Sequence, residues 1–139
     1  MKKGVFILLF LLTLVFKGYA QDNSRTDKYR TIQSGIFSED GFIEWGDTDF
    51  LVTITTIDYV ITKVHVYAKK ENQYDMVAFK GSYTDSNNIS WGVFECLDNN
   101  DERYKLEHGV INNKITGHIY TLKFTNKDGN GLIYKLKRN

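Results

Sequence analysis

The segment Trp45-Gly46-Asp47-Thr48-Asp49 places an indole beside two carboxylates within five residues. Two carboxylates can act as acid and base in sugar hydrolysis when they face each other across the scissile bond. Asp47 and Asp49 instead flank a Gly-Asp-Thr-Asp turn, and nothing obliges a second acidic cluster to face them. The same residues suit recognition better. An indole at a rim stacks on a sugar or anchors a protein partner, and neighbouring carboxylates accept hydrogen bonds. Trp45, Asp47 and Asp49 are therefore the expected binding residues, with a core position for Trp45 as the alternative.

The other reactive types have simpler readings. Cys96 is the lone cysteine, so no intrachain disulfide can form. A nucleophilic thiol needs a nearby base and a depressed pKa. Glu95 and Asp98 would raise the pKa of Cys96, which therefore reads as a small buried apolar residue. His65, His108 and His118 show neither His-x-His nor His-x-x-x-His spacing, and no metal site is expected. Asp98-Asn99-Asn100-Asp101-Glu102 is rich in oxygen. A calcium loop of the EF-hand type wants glycine at its sixth position and an acid at its twelfth, where this chain has Arg103 and Gly109. That segment and Asn126-Lys127-Asp128-Gly129-Asn130-Gly131 both read as turns. No Gly-x-Ser-x-Gly, Walker or dinucleotide motif occurs, so neither a catalytic residue nor a cofactor is expected.

The N-terminus speaks for export. Met1-Lys2-Lys3 is basic, and Val5 to Phe16 is apolar except for Thr13. A run of that length falls short of the about 20 residues a spanning helix needs. Gly18-Tyr19-Ala20 supplies small residues three and one before a cut, so cleavage after Ala20 is expected. The exported chain would be periplasmic or extracellular, of a bacterial kind, without membrane insertion once the signal is removed. Its loss takes Lys2, Lys3 and Lys17 from 18 basic residues and none from 17 acidic ones, which leaves 15 against 17. That balance does not suggest a nucleic-acid partner.

The elements that must carry these residues are strands. Residues 21–28 are polar and without period, and read as a flexible leader before a single β domain over residues 29–139. From there apolar and polar residues alternate. Val60, Val64, Val66 and Ala68 share one face, and Tyr120, Leu122 and Phe124 another, as do Leu132, Tyr134 and Leu136. Further strands are expected over residues 31–37, 42–46, 50–57, 74–80, 89–97 and 103–110, with Asn-, Asp- and Gly-rich turns between nearly all of them. Trp91 shares its face with Ile89 and Val93 and reads as core. Eight or nine short strands in sequence indicate an all-β fold, an antiparallel barrel or sandwich in a mostly up-and-down meander.

Large side chains such as Phe94, Leu122, Phe124 and Tyr134 would fill most of such a domain. The expected function is thus non-catalytic binding of a protein or glycan through loops and strand ends. A carrier with an apolar barrel cavity is the alternative, and a small hydrolase the more distant one.

Overall fold

The computed structural model describes residues 23–113 and 117–139, so the expected signal segment, residues 1–20, lies outside the described residues. The fold is all-β, with no helix among the described residues. Nine strands follow one another: β1 (Ser24–Phe37), β2 (Ile43–Asp47), β3 (Leu51–Ile57), β4 (Val60–Tyr67), β5 (Glu71–Thr84), β6 (Ser90–Leu97), β7 (Arg103–Asn113), β8 (Gly117–Thr125) and β9 (Gly131–Arg138). All pairings are antiparallel, and β9 returns to β1 and closes the sheet. The result is an eight-stranded up-and-down barrel with β2 as one additional strand. Closure leaves few free edges, which suits a domain with no disulfide.

The turn chemistry expected from the sequence recurs with one geometry in three hairpins. Asp85, Asp98 and Asn126 each open a five-residue loop, and each Oδ1 accepts the backbone N–H groups two and four residues on, at 2.8–3.0 Å. The fourth residue of each loop, Asn88, Asp101 or Gly129, has φ of +60° to +83°. Asn, Asp and Gly reach that region most easily, so local sequence closes these hairpins without help from the core.

β1 begins at Ser24, earlier than the sequence pattern suggests. Ser24 to Arg30 pair with Ile57 to Leu51, so residues 24–28 are strand and not a loose leader. Backbone pairing makes them so, which an apolar pattern does not reveal. Gln33 to Phe37 then pair with Asp47 to Ile43 on the same edge. A bulge between Thr31 and Gln33, seen against β9, bends the strand as it passes from one partner to the next.

The interior is packed. Val52, Val64, Val66, Leu106, Leu122, Phe124 and Leu136 are fully buried. The Tyr74 ring stacks on Phe124 at 4.0 Å between centroids, and Tyr134 meets Phe124 edge-on at 6.1 Å. Two expectations about facing need correction. A bulge between Thr55 and Thr56 shifts the β3–β4 register, so Ile61 points inward while Val60 is exposed. Trp91 is not core. Phe94 and Cys96 take the inner face of β6, and the strand's two-residue period then sends Trp91 to the outside. There it lies over Gly109, whose missing Cβ makes room for the indole, and Trp91 Nε1 donates to Asp85 Oδ2 at 2.9 Å.

β5 belongs to the barrel for part of its length. Glu71 to Asp75 pair with β4, whereas Met76 to Thr84 pair with β6 alone. Two bulges, at Met76/Ala78 and Phe79/Gly81, turn this second half away from β4. β4 and β6 thereby come to line the same end of the barrel.

Candidate functional site

A recess of about 220 Å³ opens at the barrel end that carries the β3–β4 and β5–β6 hairpins. Its polar and aromatic lining comes from inward positions near strand ends. Asp27 and Tyr29 are on β1, His108 on β7 and Tyr120 on β8; Ile54, Ile61 and Phe94 supply apolar wall. Gly92 sits directly opposite His108 in the β6–β7 ladder. A Cβ at Gly92 would stand 3.3 Å from the Phe94 ring, so glycine keeps space open beside the imidazole.

The rings are arranged around Tyr120. Tyr29 meets it edge-on, with centroids 4.8 Å apart, and His108 lies nearly parallel to it at 6.3 Å. Burial pushes the His108 pKa below the ordinary imidazole value and raises that of the Tyr29 phenol. Near pH 7 the imidazole is therefore neutral, with one nitrogen as donor and one as acceptor. No side-chain hydrogen bond engages it among the described residues. The Asp27 carboxylate is already committed, to Arg25 Nε at 2.9 Å and Arg138 Nη2 at 3.2 Å.

Tyr59 borders this recess, 98% exposed at the tip of the β3–β4 hairpin. Asp58 and Tyr59 have φ of +52° and +66°, the pair of left-handed residues a two-residue hairpin demands. A tyrosine held there costs about 1–2 kcal/mol. Strain at an exposed aromatic beside a recess is a reason to look for function at that spot.

No protein-family model, curated protein or solved structure matches this chain.

The residues singled out from sequence lie elsewhere. Trp45 is on the outer face of β2, 37% exposed, over Gly35 and under the Lys135 ammonium at 4.4 Å from the ring. Asp47 is exposed on the same face, whereas Asp49 pairs with Arg30 Nε at 2.7 Å. The three are neighbours along the chain; Trp45 lines an open hollow of about 400 Å³ with Glu44, Phe50 and Tyr134, and neither Asp47 nor Asp49 lines it. Cys96 is fully buried, and burial with the nearby Asp98 and Glu95 pushes its thiol up to about 12, so it stays protonated. The recess residues were missed because Tyr29, Gly92, His108 and Tyr120 are spread over four strands. The available signals were Gly92, set in an otherwise full strand pattern, and Tyr59 in a two-residue turn.

Proposed function

We propose that this is an exported, non-catalytic binding protein that takes a small planar ligand, or the ring of a larger one, into the barrel mouth. The observation that supports this most is the recess itself: aromatic walls around a neutral imidazole that no side chain among the described residues engages, with glycine opposite it. Ligand sites typically combine apolar walls with a few convergent polar groups. A dry cavity of about 150 Å³ accepts benzene, so a space about half as large again suits a bicyclic ring such as indole. His108 can hydrogen-bond to a ring N–H or to an acceptor, and the tyrosine faces pack on the ring. The committed Asp27 and the protonated Cys96 supply no nucleophile–base pair.

Indole is a direct probe. Its addition is expected to raise the melting temperature and to move the His108 ring resonances. Gly92→Val, which fills the space opposite His108, should weaken binding at least about tenfold while the far-ultraviolet circular dichroism stays native. Indole, 4-cresol and benzimidazole all leaving those resonances unmoved at millimolar concentration would overturn the proposal.

Tyr59→Gly is expected to separate stability from binding. Glycine relieves the left-handed strain and should stabilise the fold by about 1 kcal/mol in urea unfolding. Loss of the ring at the rim should weaken indole at the same time. A destabilised Tyr59→Gly protein would show that the tyrosine is structural.

The pH dependence has a defined sign. The folded-state pKa of His108 lies below its unfolded value of about 6.5. Between those two values the unfolded chain takes up a proton that the folded one does not. Stability from this group is therefore complete near pH 7 and falls as the pH drops below about 6.5. His108→Gln should flatten the slope of unfolding free energy between pH 7 and pH 5. An unchanged slope would mean that His108 is not held neutral.

A further inference from the structure

A second concavity lies on the outside of the barrel wall, where β5, β6, β7 and the β8–β9 hairpin meet. It measures about 470 Å³, and four cations, Lys80, Arg103, Lys105 and Lys127, line it together with Glu95. We propose that this hollow binds an acidic glycan, a short run of uronate or sulfated sugar. This reading is independent of the ligand in the barrel mouth.

The strand ladders explain why these charges converge. Glu95 pairs with Lys105 across β6–β7, and Leu97 with Arg103 beside it, so alternate outward positions bring the cations to one place. Glu95 stands among them. It accepts from Arg103 and lies 3.5 Å from Lys80 Nζ. The Arg103 guanidinium beside it holds its carboxyl below the ordinary range, so it is charged. Lys105 leans to Glu107 at 3.3 Å. The lining still carries four positive groups against one negative one, in a domain whose remaining charge is net acidic.

Three features favour a sugar over other anions. At the about 25 Å³ per atom implied by benzene in its cavity, the hollow holds roughly nineteen atoms, close to two sugar rings and far more than a free phosphate. Its lining mixes the cations with Val93, on which a pyranose C–H face can rest, and with Thr125. Most telling is Glu95. A carboxylate in the middle of a cationic hollow repels the phosphodiester backbone of a nucleic acid, and that backbone offers it no donor. Sugar hydroxyls do offer donors, so Glu95 can bind them while the surrounding cations hold the acidic groups.

Calorimetric titration of the mature protein at low salt tests this, with tetragalacturonate and a heparin tetrasaccharide as the two acidic probes. Maltotetraose serves as the neutral control and a thymidine decamer as the nucleic-acid control. At least one acidic tetrasaccharide should bind, maltotetraose should not, and the decamer should bind at least tenfold more weakly. Arg103→Gln with Lys105→Gln should weaken the glycan at least tenfold with native circular dichroism, since both side chains are largely exposed. Glu95→Gln gives opposite signs for the two explanations. Hydroxyl recognition by Glu95 makes the glycan bind more weakly and the decamer more tightly in that variant. Glycan and decamer both tightening would reduce the hollow to unspecific charge and overturn the proposal. So would a decamer as tight as the glycan, or no glycan binding at millimolar concentration. Gly92→Val should leave the titration unchanged, which keeps this result separate from the barrel mouth.

Discussion

Phe124→Ala is expected to lower the unfolding free energy by about 3–5 kcal/mol. The ring is fully buried at the centre of the barrel, stacked on Tyr74 and met edge-on by Tyr134. Removing it deletes the transfer free energy of the ring and leaves a space that a closed barrel cannot collapse to fill, because hydrogen-bonded ladders fix its circumference. Domains of this size have about 5–15 kcal/mol in total, so the variant should show a much reduced urea midpoint or fail to fold. Phe124→Leu keeps most of the volume and should lose far less. Equal losses for the two variants would show that the site tolerates no change of shape, and a loss below about 1 kcal/mol for alanine would contradict the packing described.

Gly131→Ala should be comparably severe, for a different reason. Gly131 opens β9 and pairs with Thr125 across the last hairpin. A Cβ there would fall within the van der Waals envelope of the Phe124 carbonyl oxygen and 2.8 Å from the Phe37 ring. The obstacle is backbone inside a ladder, so no rotamer change relieves it, and a cost of about 3 kcal/mol or more follows. Gly46→Ala is the matched control. Nothing lies within 4 Å of a Cβ at Gly46, and its stability should change by no more than about 0.5 kcal/mol. Urea unfolding of the two variants side by side decides the matter: similar small changes in both would mean that the β8–β9 hairpin relaxes around an added methyl.

The sequence alone determined the local level. Alternation over residues 118–124 and 132–136 marked strands whose inner faces, Leu122, Phe124, Tyr134 and Leu136, are buried as expected. Asp85, Asp98 and Asn126 marked hairpins, since side-chain oxygens within four residues of their donors need no distant partner. The count of strands and the all-β class follow from these two signals. Tertiary structure decided whatever depends on register or on residues distant in the chain. It closed the sheet by pairing β1 with β9, residues about a hundred positions apart, and so chose barrel over sandwich. A single bulge reversed the expected facing of Val60 and Ile61, because a period of two turns any such insertion into a change of side. The β6 register put Trp91 outside. The recess around His108 could not be foreseen, since each of its residues reads locally as an ordinary strand position. Only barrel closure sets Tyr29, His108 and Tyr120 side by side and leaves Gly92 facing the imidazole.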